Sequence, residues 1–194
     1  MEKSNEEIEK EIIRFLDDNS SRRADPSQPG SGLRFGTPCA LGTCRDIIPR
    51  VTPIDYYNDG LTLWMLGDPG EKLADIRSNP NVSVSIYTHT DRSKENRSIR
   101  LWGKASLVTY REQKELFMEI ITKLGILDFF KKFVHFDLFE RIPFFESVRG
   151  EDYEARLDKL LNTETMIKVE PEGIVLSISI PNDIGEKLVW EKES

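Results

Sequence analysis

Hydrophobic residues near the start of the chain recur with the spacing of an α-helix. They fall on one helical face, among many charged residues, at Ile8, Ile12, Phe15 and Leu16. This amphipathic pattern predicts a surface helix over residues 2–17 that packs across the main fold. Residues 18–36 collect Ser, Pro, Gly and Arg without periodicity, which predicts a long, mobile connection.

From residue 38 onward, short extended segments alternate with turn residues. The predicted strands cover residues 38–44, 48–56, 61–66, 82–87, 99–107, 165–171 and 174–180, and a last extended piece holds Leu188 and Trp190. Asn58-Asp59-Gly60 predicts a hairpin because Asn and Gly tolerate positive φ. Glu172-Gly173 predicts another turn. The whole pattern is typical of an antiparallel sheet or barrel.

Helical patterns interrupt these strands in two places. Asp68-Pro69-Gly70-Glu71 has the residue types of an N-cap, a first position and an acidic third position, which predicts a helix ending near Ser78. Residues 110–162 are helical in character, and eight of the ten phenylalanines lie between Phe117 and Phe145. We interpret this aromatic surface as packing against the barrel and a partner subunit. The alternative is a lid over a planar ligand.

The length and charge of the chain exclude some classes of function. The 194 residues suit one compact domain, 1–194, with residues 1–36 as the N-terminal helix and connection and 110–162 as a helical insertion. The net charge of −7 has the wrong sign for nucleic-acid binding. No apolar run reaches the roughly 18 residues of a membrane helix, and the N-terminus lacks a secretion signal. We therefore expect a cytoplasmic protein without nucleic-acid or membrane partners.

The sequence contains few candidate catalytic residues or metal ligands. Cys39 and Cys44 lie five apart in one predicted strand, so their side chains point to opposite faces and a disulfide is not expected. Without clustered Cys or His, no metal site is predicted. The two histidines, His89 and His135, are interpreted as surface or packing residues. No catalytic residue is assigned.

The clearest local device for binding is the start of the helix predicted at residues 68–78. Its first turn leaves backbone N–H groups unpaired, and Lys72 lies beside them. Arg50 lies on the strand that pairs with the strand leading into this helix, so its guanidinium could reach the same anion. Plain surface charge is the alternative interpretation of both residues. Spacing alone leaves the two interpretations open.

Four segments resemble the FMN-binding split-barrel family related to pyridoxamine 5′-phosphate oxidase. CALGTCRDIIPRVTPIDYYNDGLTLWML is similar to its first three strands, EKLADIRSNPNVSVSI to its helix and fourth strand, SIRLWGKASLV to its fifth strand and MIKVEPEGIVL to its closing hairpin. The spacing from Lys72 to Asn79-Pro80 is the most specific part. The resemblance covers residues 36–108 and 164–178. It implies a mainly β (α+β) fold, an antiparallel split β-barrel of six to seven strands with peripheral helices.

The resemblance also implies the cofactor and the residues around it. It assigns FMN to Arg50, Val51, Thr52, Pro53, Met65, Leu66, Lys72, Ser98 and Trp102. The two cations would hold the phosphate, residues 51–53 would run beside the isoalloxazine edge, and residues 65 and 66 would line the ribityl chain and phosphate. Ser98 stands where the oxidases carry a glutamine that reaches the flavin. In this family two subunits enclose the FMN, which implies a homodimer.

An FMN-dependent oxidoreductase acting on a small organic substrate follows from this resemblance, with NADH or NADPH as a candidate partner. Two features depart from the family pattern. Glu71 stands where a basic residue is common, although an acid there can cap its own helix. The substrate-binding C-terminal segment of the oxidases is not recognisable in IPNDIGEKLVWEKES, so the substrate stays open. The alternative function is a carrier of flavin or haem without turnover, with His135 as the residue to suspect for haem.

Overall fold

The structure is a computed structural model that describes residues 3–23, 27, 33–88, 94–135, 146 and 150–193. Its helices are α1 (Asn5–Asn19), α2 (Glu71–Ser78), α3 (Lys114–Lys123), α4 (Ile126–Phe133) and α5 (Tyr153–Thr163). Its strands are β1 (Arg22–Arg23), β2 (Leu33–Arg34), β3 (Cys39–Arg45), β4 (Ile48–Ile54), β5 (Tyr57–Asp59), β6 (Thr62–Gly67), β7 (Asn81–Tyr87), β8 (Asn96–Thr109), β9 (Thr165–Ser179) and β10 (Glu186–Glu191).

Eight of these strands form one antiparallel sheet. The order is β4-β3-β7-β8-β9-β6-β5, with β10 also paired to β9, and β1 and β2 form a separate ribbon. One face of the sheet closes around a single core to which β3, β6, β7, β8, β9 and β10 all contribute, with residues such as Leu41, Met65, Ile99 and Ile167. Since distant strands share this core, the sheet wraps around it, which confirms the predicted antiparallel α+β fold.

Helix α1 covers this core as the hydrophobic spacing predicts. It buries Ile12, Phe15 and Leu16, and Ile8 packs against the same cluster. Ser4 is the N-cap and forms a reciprocal capping box with Glu7, which explains why the helix begins at residue 5. Among the described residues, no helix is long and apolar enough to cross a membrane.

A second core lies between the sheet and helices α3, α4 and α5. The sheet contributes Trp64, Val108 and Met166, and the helices contribute residues that include Phe117 and Phe130. The phenylalanines from residue 117 to residue 133 therefore pack inside the chain, as the packing interpretation predicts, and residues 136–145 lie outside the described residues.

The turn predicted at Glu172-Gly173 is wrong. Strand β9 is continuous, and the pairing shifts so that Trp102 faces Gly173 while Gly103 faces Pro171, which leaves Glu172 as the extra residue of a β-bulge. A Cβ on Gly173 would lie 2.1 Å from Cζ2 of Trp102. This glycine is therefore needed for the close approach of an aromatic ring, not for chain reversal.

The start of α2 also differs from the prediction. The N-cap is Gly70, not Asp68, and no side chain caps the helix. Glu71 is its first residue instead of its third. The hairpin predicted at residues 58–60 does form, with Gly60 at a φ of +59° and Asp59 paired to Thr62. It joins β5 to β6, however, and β4 pairs only with β3 among the described strands, so the prediction that the strand of Arg50 pairs with the strand leading into α2 is wrong. Both cysteines are free, as expected.

Candidate functional site

Three polar side chains share one face of the β3–β4 hairpin. Thr43 and Arg45 lie two apart on β3, and Arg50 of β4 lies directly opposite Thr43. Side chains two apart on a strand, and those in register across strands, point to the same face of a sheet. A single face of the hairpin thus presents one hydroxyl and two guanidinium groups.

Helix α2 packs two acids against that face. Glu71 and Asp75 lie four apart and therefore on one side of the helix. Asp75 is fully buried. Its Oδ2 accepts a hydrogen bond of 2.9 Å from Thr43 Oγ1, and its two oxygens lie 3.5 Å from Nε of Arg45 and 3.4 Å from Nε of Arg50. Asp75 is thus the shared counter-ion of two arginines.

Glu71 holds the outer ends of the same two arginines. Arg45 Nη2 donates to Glu71 Oε2 at 2.5 Å, and Arg50 Nη2 lies 3.6 Å from that oxygen. The expectation that Glu71 turns back to cap its own helix is wrong, because Arg45 and Arg50 take its carboxylate instead. We refer to Thr43, Arg45, Arg50, Glu71 and Asp75 as the arginine cluster.

Lys72 extends the arginine cluster into an open cleft. The cleft has a volume of about 370 Å³ and is lined by Arg50, Val51, Thr52, Glu71 and Lys72. Lys72 Nζ donates to the main-chain oxygen of Asp68 at 2.9 Å, and no carboxylate in the described part of the chain pairs with it. The cleft therefore combines one unneutralised ammonium with one partly neutralised guanidinium.

One wall of the cleft is the edge strand β4, which pairs only with β3 in the described sheet. Pro49 and Pro53 lie on either side of Val51 in this strand. Proline has no N–H to give, so these positions turn their backbone nitrogens away from the ladder. Val51 lies two residues from each proline, so its backbone N–H points to the same side of the strand, away from β3. Its side chain is 70% exposed, so this part of the edge is open to a ligand.

Ser98 and Trp102 do not reach this cleft within one chain. Trp102 is in register with Ser83, Ser83 with Gly42, and Gly42 with Val51. At about 4.8 Å per strand spacing, Trp102 stands about 14 Å from Val51 across the outer face of the sheet. Ser98 lies four residues away on the same strand. Contact of Ser98 and Trp102 with the cofactor therefore stays a prediction, for a site shared by two copies of the chain.

Two more predicted residues lie in cores. The Met65 side chain is completely buried within the barrel, and Leu66 packs against the helical core. Neither side chain lines the cleft. Neighbouring side chains of a strand point to opposite faces, so Met65 enters the barrel core and Leu66 packs against the helical core. A role for these two positions is left only to their backbone. By contrast, Arg50, Val51, Thr52 and Lys72 line the cleft together, and Pro53 follows them on β4.

A buried carboxyl lies on the far side of Lys72. Glu164 follows α5, and the next residue, Thr165, pairs with Gly67 just before Asp68. Its Oε2 is buried without a hydrogen-bond partner. The pKa of Glu164 is raised to about 7, chiefly by burial and also by the negative charge of Asp68, while the ammonium of Lys72 opposes both effects.

The histidine proposed for haem is placed elsewhere. His135 is exposed, and its ring stacks on Tyr153 at 4.6 Å, which supports the packing interpretation. His89 lies outside the described residues. Within the described residues, no group of three or more His, Cys, Asp or Glu side chains is arranged to hold a metal ion.

Sequence reasoning missed Arg45, Asp75 and Glu164. The four-residue spacing from Glu71 to Asp75, beside the buried Leu73 and Ile76, was a usable signal because it places an acid next to the apolar side of a helix. The predicted strand ends at residue 44, whereas β3 runs through Arg45 and the turn begins at Asp46, whose φ is +57°. No local sequence pattern indicates that the Glu164 carboxyl is buried.

Comparison with known proteins gives the same fold. The family model for pyridoxamine 5′-phosphate oxidase matches residues 35–133, which include the cleft. Uncharacterized protein RA0666 of Rhizobium meliloti (strain 1021) is 39% identical over 74 residues, 38% of this chain and 44% of that protein. The chain therefore matches less than half the length of this curated relative.

Two solved structures are similar at low sequence identity. General Stress Protein 26 from Bacillus anthracis is 17% identical, with 93% of this chain and 97% of that chain covered and a TM-score of 0.50. PhzG from Burkholderia lata 383, in complex with tetrahydrophenazine-1-carboxylic acid, is 13% identical, with 81% and 77% covered and a TM-score of 0.51. They share the fold, and the family model spans half of the sequence, so the chain belongs to the pyridoxamine 5′-phosphate oxidase family.

Proposed function

We propose that this protein is an FMN-binding flavoprotein that acts as an oxidoreductase on a small organic substrate. The observation that carries the proposal is the meeting of Arg50 and Lys72 in one open cleft beside the first turn of α2. Sequence spacing left open whether these cations were unrelated surface charges. Their convergence favours the anion-binding interpretation.

The residues present fit a phosphate monoester. Arg50 Nη2 has a distant partner in the exposed Glu71 carboxylate, at 3.6 Å, while Lys72 Nζ is satisfied only by a main-chain oxygen among the described residues. A phosphate brings oxygens that accept from both groups at once. The hydroxyl of Thr52 and the N–H groups at the start of α2 add donors to the same cleft.

A flat ring suits the rest of the cleft. Val51 offers an unpaired backbone N–H on the free edge of β4, between two prolines that prevent another strand from pairing there. The edge of an isoalloxazine ring carries hydrogen-bonding groups of both kinds. The chain would hold such a ring by main-chain contacts, which explains why the sequence shows no conspicuous ring-binding motif.

Bound FMN supplies hydride or electron transfer, which no side chain of the cleft can perform. The chain's own tasks are to bind the phosphate, orient the ring along β4 and keep water away from it. No nucleophile is required for these tasks. This division of labour agrees with the lack of a catalytic constellation in the sequence.

A second copy of the chain would complete the site. The outer face of the sheet carries large exposed apolar residues on four strands, Val51 on β4, Tyr87 on β7, Trp102 on β8 and Val189 on β10, at 41–70% exposure. Exposed apolar groups on a sheet face favour association. In a symmetric dimer formed through this face, Ser98 and Trp102 of each copy lie on the surface that approaches the other copy's β4. The proposal is therefore a homodimer with the cofactor at its interface.

The test compares FMN with riboflavin, which lacks the phosphate. Titration of each flavin into the full chain, followed by quenching of flavin fluorescence, gives the two affinities. Lys72→Met should weaken FMN binding about tenfold or more, as expected for a lost charge-assisted hydrogen bond, and leave riboflavin binding unchanged. Lys10→Met, which removes an exposed ammonium on α1, is the matched control. Equal loss for both flavins, or no loss, would contradict the phosphate assignment.

Turnover is tested separately from binding. The absorption spectrum of the loaded protein distinguishes flavin from haem. Bleaching of the flavin band by NADH or NADPH without oxygen supports a reductase, whereas an unchanged spectrum with both nucleotides favours a carrier.

A further inference from the structure

The two acids of the arginine cluster occupy different positions relative to solvent. Asp75 is 0% exposed and touches Nε of both arginines, at the inner end of each guanidinium. The Glu71 side chain is 59% exposed and touches the Nη2 atoms, at the outer end. Arg50 and Glu71 both line the cleft, whereas Asp75 does not. One carboxylate is therefore built into the fold, and the other lies where a ligand would arrive.

Glu71 also lies where the helix attracts an anion. It is the first residue of α2 and carries the negative charge of the first turn. A negative group at a helix N-terminus is stabilised by the unpaired N–H groups. Its carboxylate thus pairs with the guanidinium of Arg50 at the N-terminus of the helix, the two features that a phosphate would use.

We propose that Glu71 is an internal competitor for the anionic group of the ligand and that Asp75 is the positioning residue that fixes Arg45 and Arg50 for it. The proposal rests on the proposed function and adds the device that sets the affinity of its phosphate site. Binding exchanges the Glu71 carboxylate for the phosphate at Arg50 Nη2, and Glu71 swings toward solvent. Asp75 and Thr43 stay in place during this exchange.

The two acids are therefore expected to act in opposite directions. Glu71→Gln removes the competitor and keeps the side-chain volume, so FMN should bind about three- to fivefold more tightly, the size expected for an exposed ion pair. Asp75→Asn removes the buried counter-ion of the two guanidinium groups and leaves the exposed Glu71 as their only carboxylate among the described residues. They repel, lose their fixed positions and should bind FMN about fivefold or more weakly.

If only the net charge near the phosphate mattered, the FMN affinities of the two variants would change differently. Either substitution removes one negative charge from the neighbourhood of the phosphate, so charge alone would tighten FMN binding in both variants. A purely structural role for Asp75 would weaken FMN and riboflavin alike. The opposite signs for the two variants, restricted to the phosphorylated flavin, distinguish the proposal from both.

The experiment measures the affinities of FMN and riboflavin for the full chain, Glu71→Gln, Asp75→Asn and the control Glu6→Gln, which removes an exposed, paired glutamate from α1. Tighter FMN binding in Glu71→Gln, with riboflavin unchanged, supports the proposal. Unchanged or weaker FMN binding in that variant overturns it while FMN binding by the parent chain still stands. Tighter FMN binding in Asp75→Asn overturns the positioning role.

Two further outcomes are decisive. If Asp75→Asn does not fold, Arg45→Gln replaces it, because loss of the second guanidinium frees Glu71 to pair more closely with Arg50 and should weaken FMN binding. Tighter FMN binding in Arg45→Gln overturns the proposal. If neither the parent chain nor Glu71→Gln binds FMN, the proposed function and this inference fall together.

Discussion

The buried carboxyl of Glu164 should make the stability of the protein depend on pH. Its Oε2 has no hydrogen-bond partner among the described residues, and its surroundings raise the pKa to about 7 from the usual 4.5. Ionisation of this group is therefore more costly in the folded chain than in the unfolded one. Replacing it with glutamine, which cannot ionise and has nearly the same shape, should remove that cost.

The direction of the effect follows from proton binding. Below about pH 4.5 the carboxyl is protonated in both states and has no effect on the pH dependence. Between about pH 4.5 and 7 the folded state binds more protons than the unfolded state, so the free energy of unfolding falls as the pH rises. Above pH 7 the penalty is complete. At 1.36 kcal/mol for each pKa unit, and because the side chain is not fully enclosed, we expect about 2 kcal/mol.

Urea unfolding followed by tryptophan fluorescence at pH 4.5 and pH 8, at one protein concentration, tests this expectation. Glu164→Gln should equal the parent chain at the lower pH and exceed it by about 2 kcal/mol at the higher pH. Glu154→Gln, an exposed position on the same helix, is the control and should show no such difference. A stability change of the same size at both pH values, or destabilisation at pH 8, would refute the reasoning.

Two further predictions concern packing and association. Phe130 is 2% exposed in the helical core, so Phe130→Ala should lower the free energy of unfolding by about 3 to 5 kcal/mol. Phe35 is 58% exposed, so the control Phe35→Ala should lower it far less. Equal losses in the two variants would contradict the second core. Val189→Lys places a charge on the outer face and should shift the protein from dimer to monomer in sedimentation velocity, while Ile184→Lys in an exposed loop should not. A dimer that survives Val189→Lys would exclude this face as the interface.

The strands were predictable because their burial alternates with period two. In β7, Val82, Val84 and Ile86 are buried between exposed or half-buried serines, as their spacing predicts. The turn predicted at Glu172-Gly173 is wrong because glycine is common both in turns and where another group lies close to the backbone. Only the position of the Trp102 ring, brought over Gly173 by the pairing of β8 with β9, decides between the two uses.

Half of the candidate site was predictable for a similar reason. Lys72 is marked by a local signal, the start of a helix. The sequence brings Arg50 to it through a strand pairing that does not form, and Arg50 reaches the cleft because α2 packs against the β3–β4 hairpin. The partnership of Arg45 with Asp75 depends on the packing of α2 against β3, between residues 30 positions apart, and no local pattern encodes it. Ser98 and Trp102 are a third case, because the proposed dimer would supply their partners from a second copy, which no pattern within one sequence can show.

Strand β4 links the proposed cofactor site to the proposed dimer interface through its period of two. Arg50 and Thr52 point to the face where Thr43 and Asp75 lie, while Val51 and Pro53 point to the outer face. Neighbouring positions of one edge strand therefore serve different surfaces. A movement of β4 on dimer formation would shift Arg50 relative to Asp75, and displacement of Glu71 by a ligand would shift the outer face. Since both events act on one short strand, cofactor binding and association are expected to be coupled in this protein.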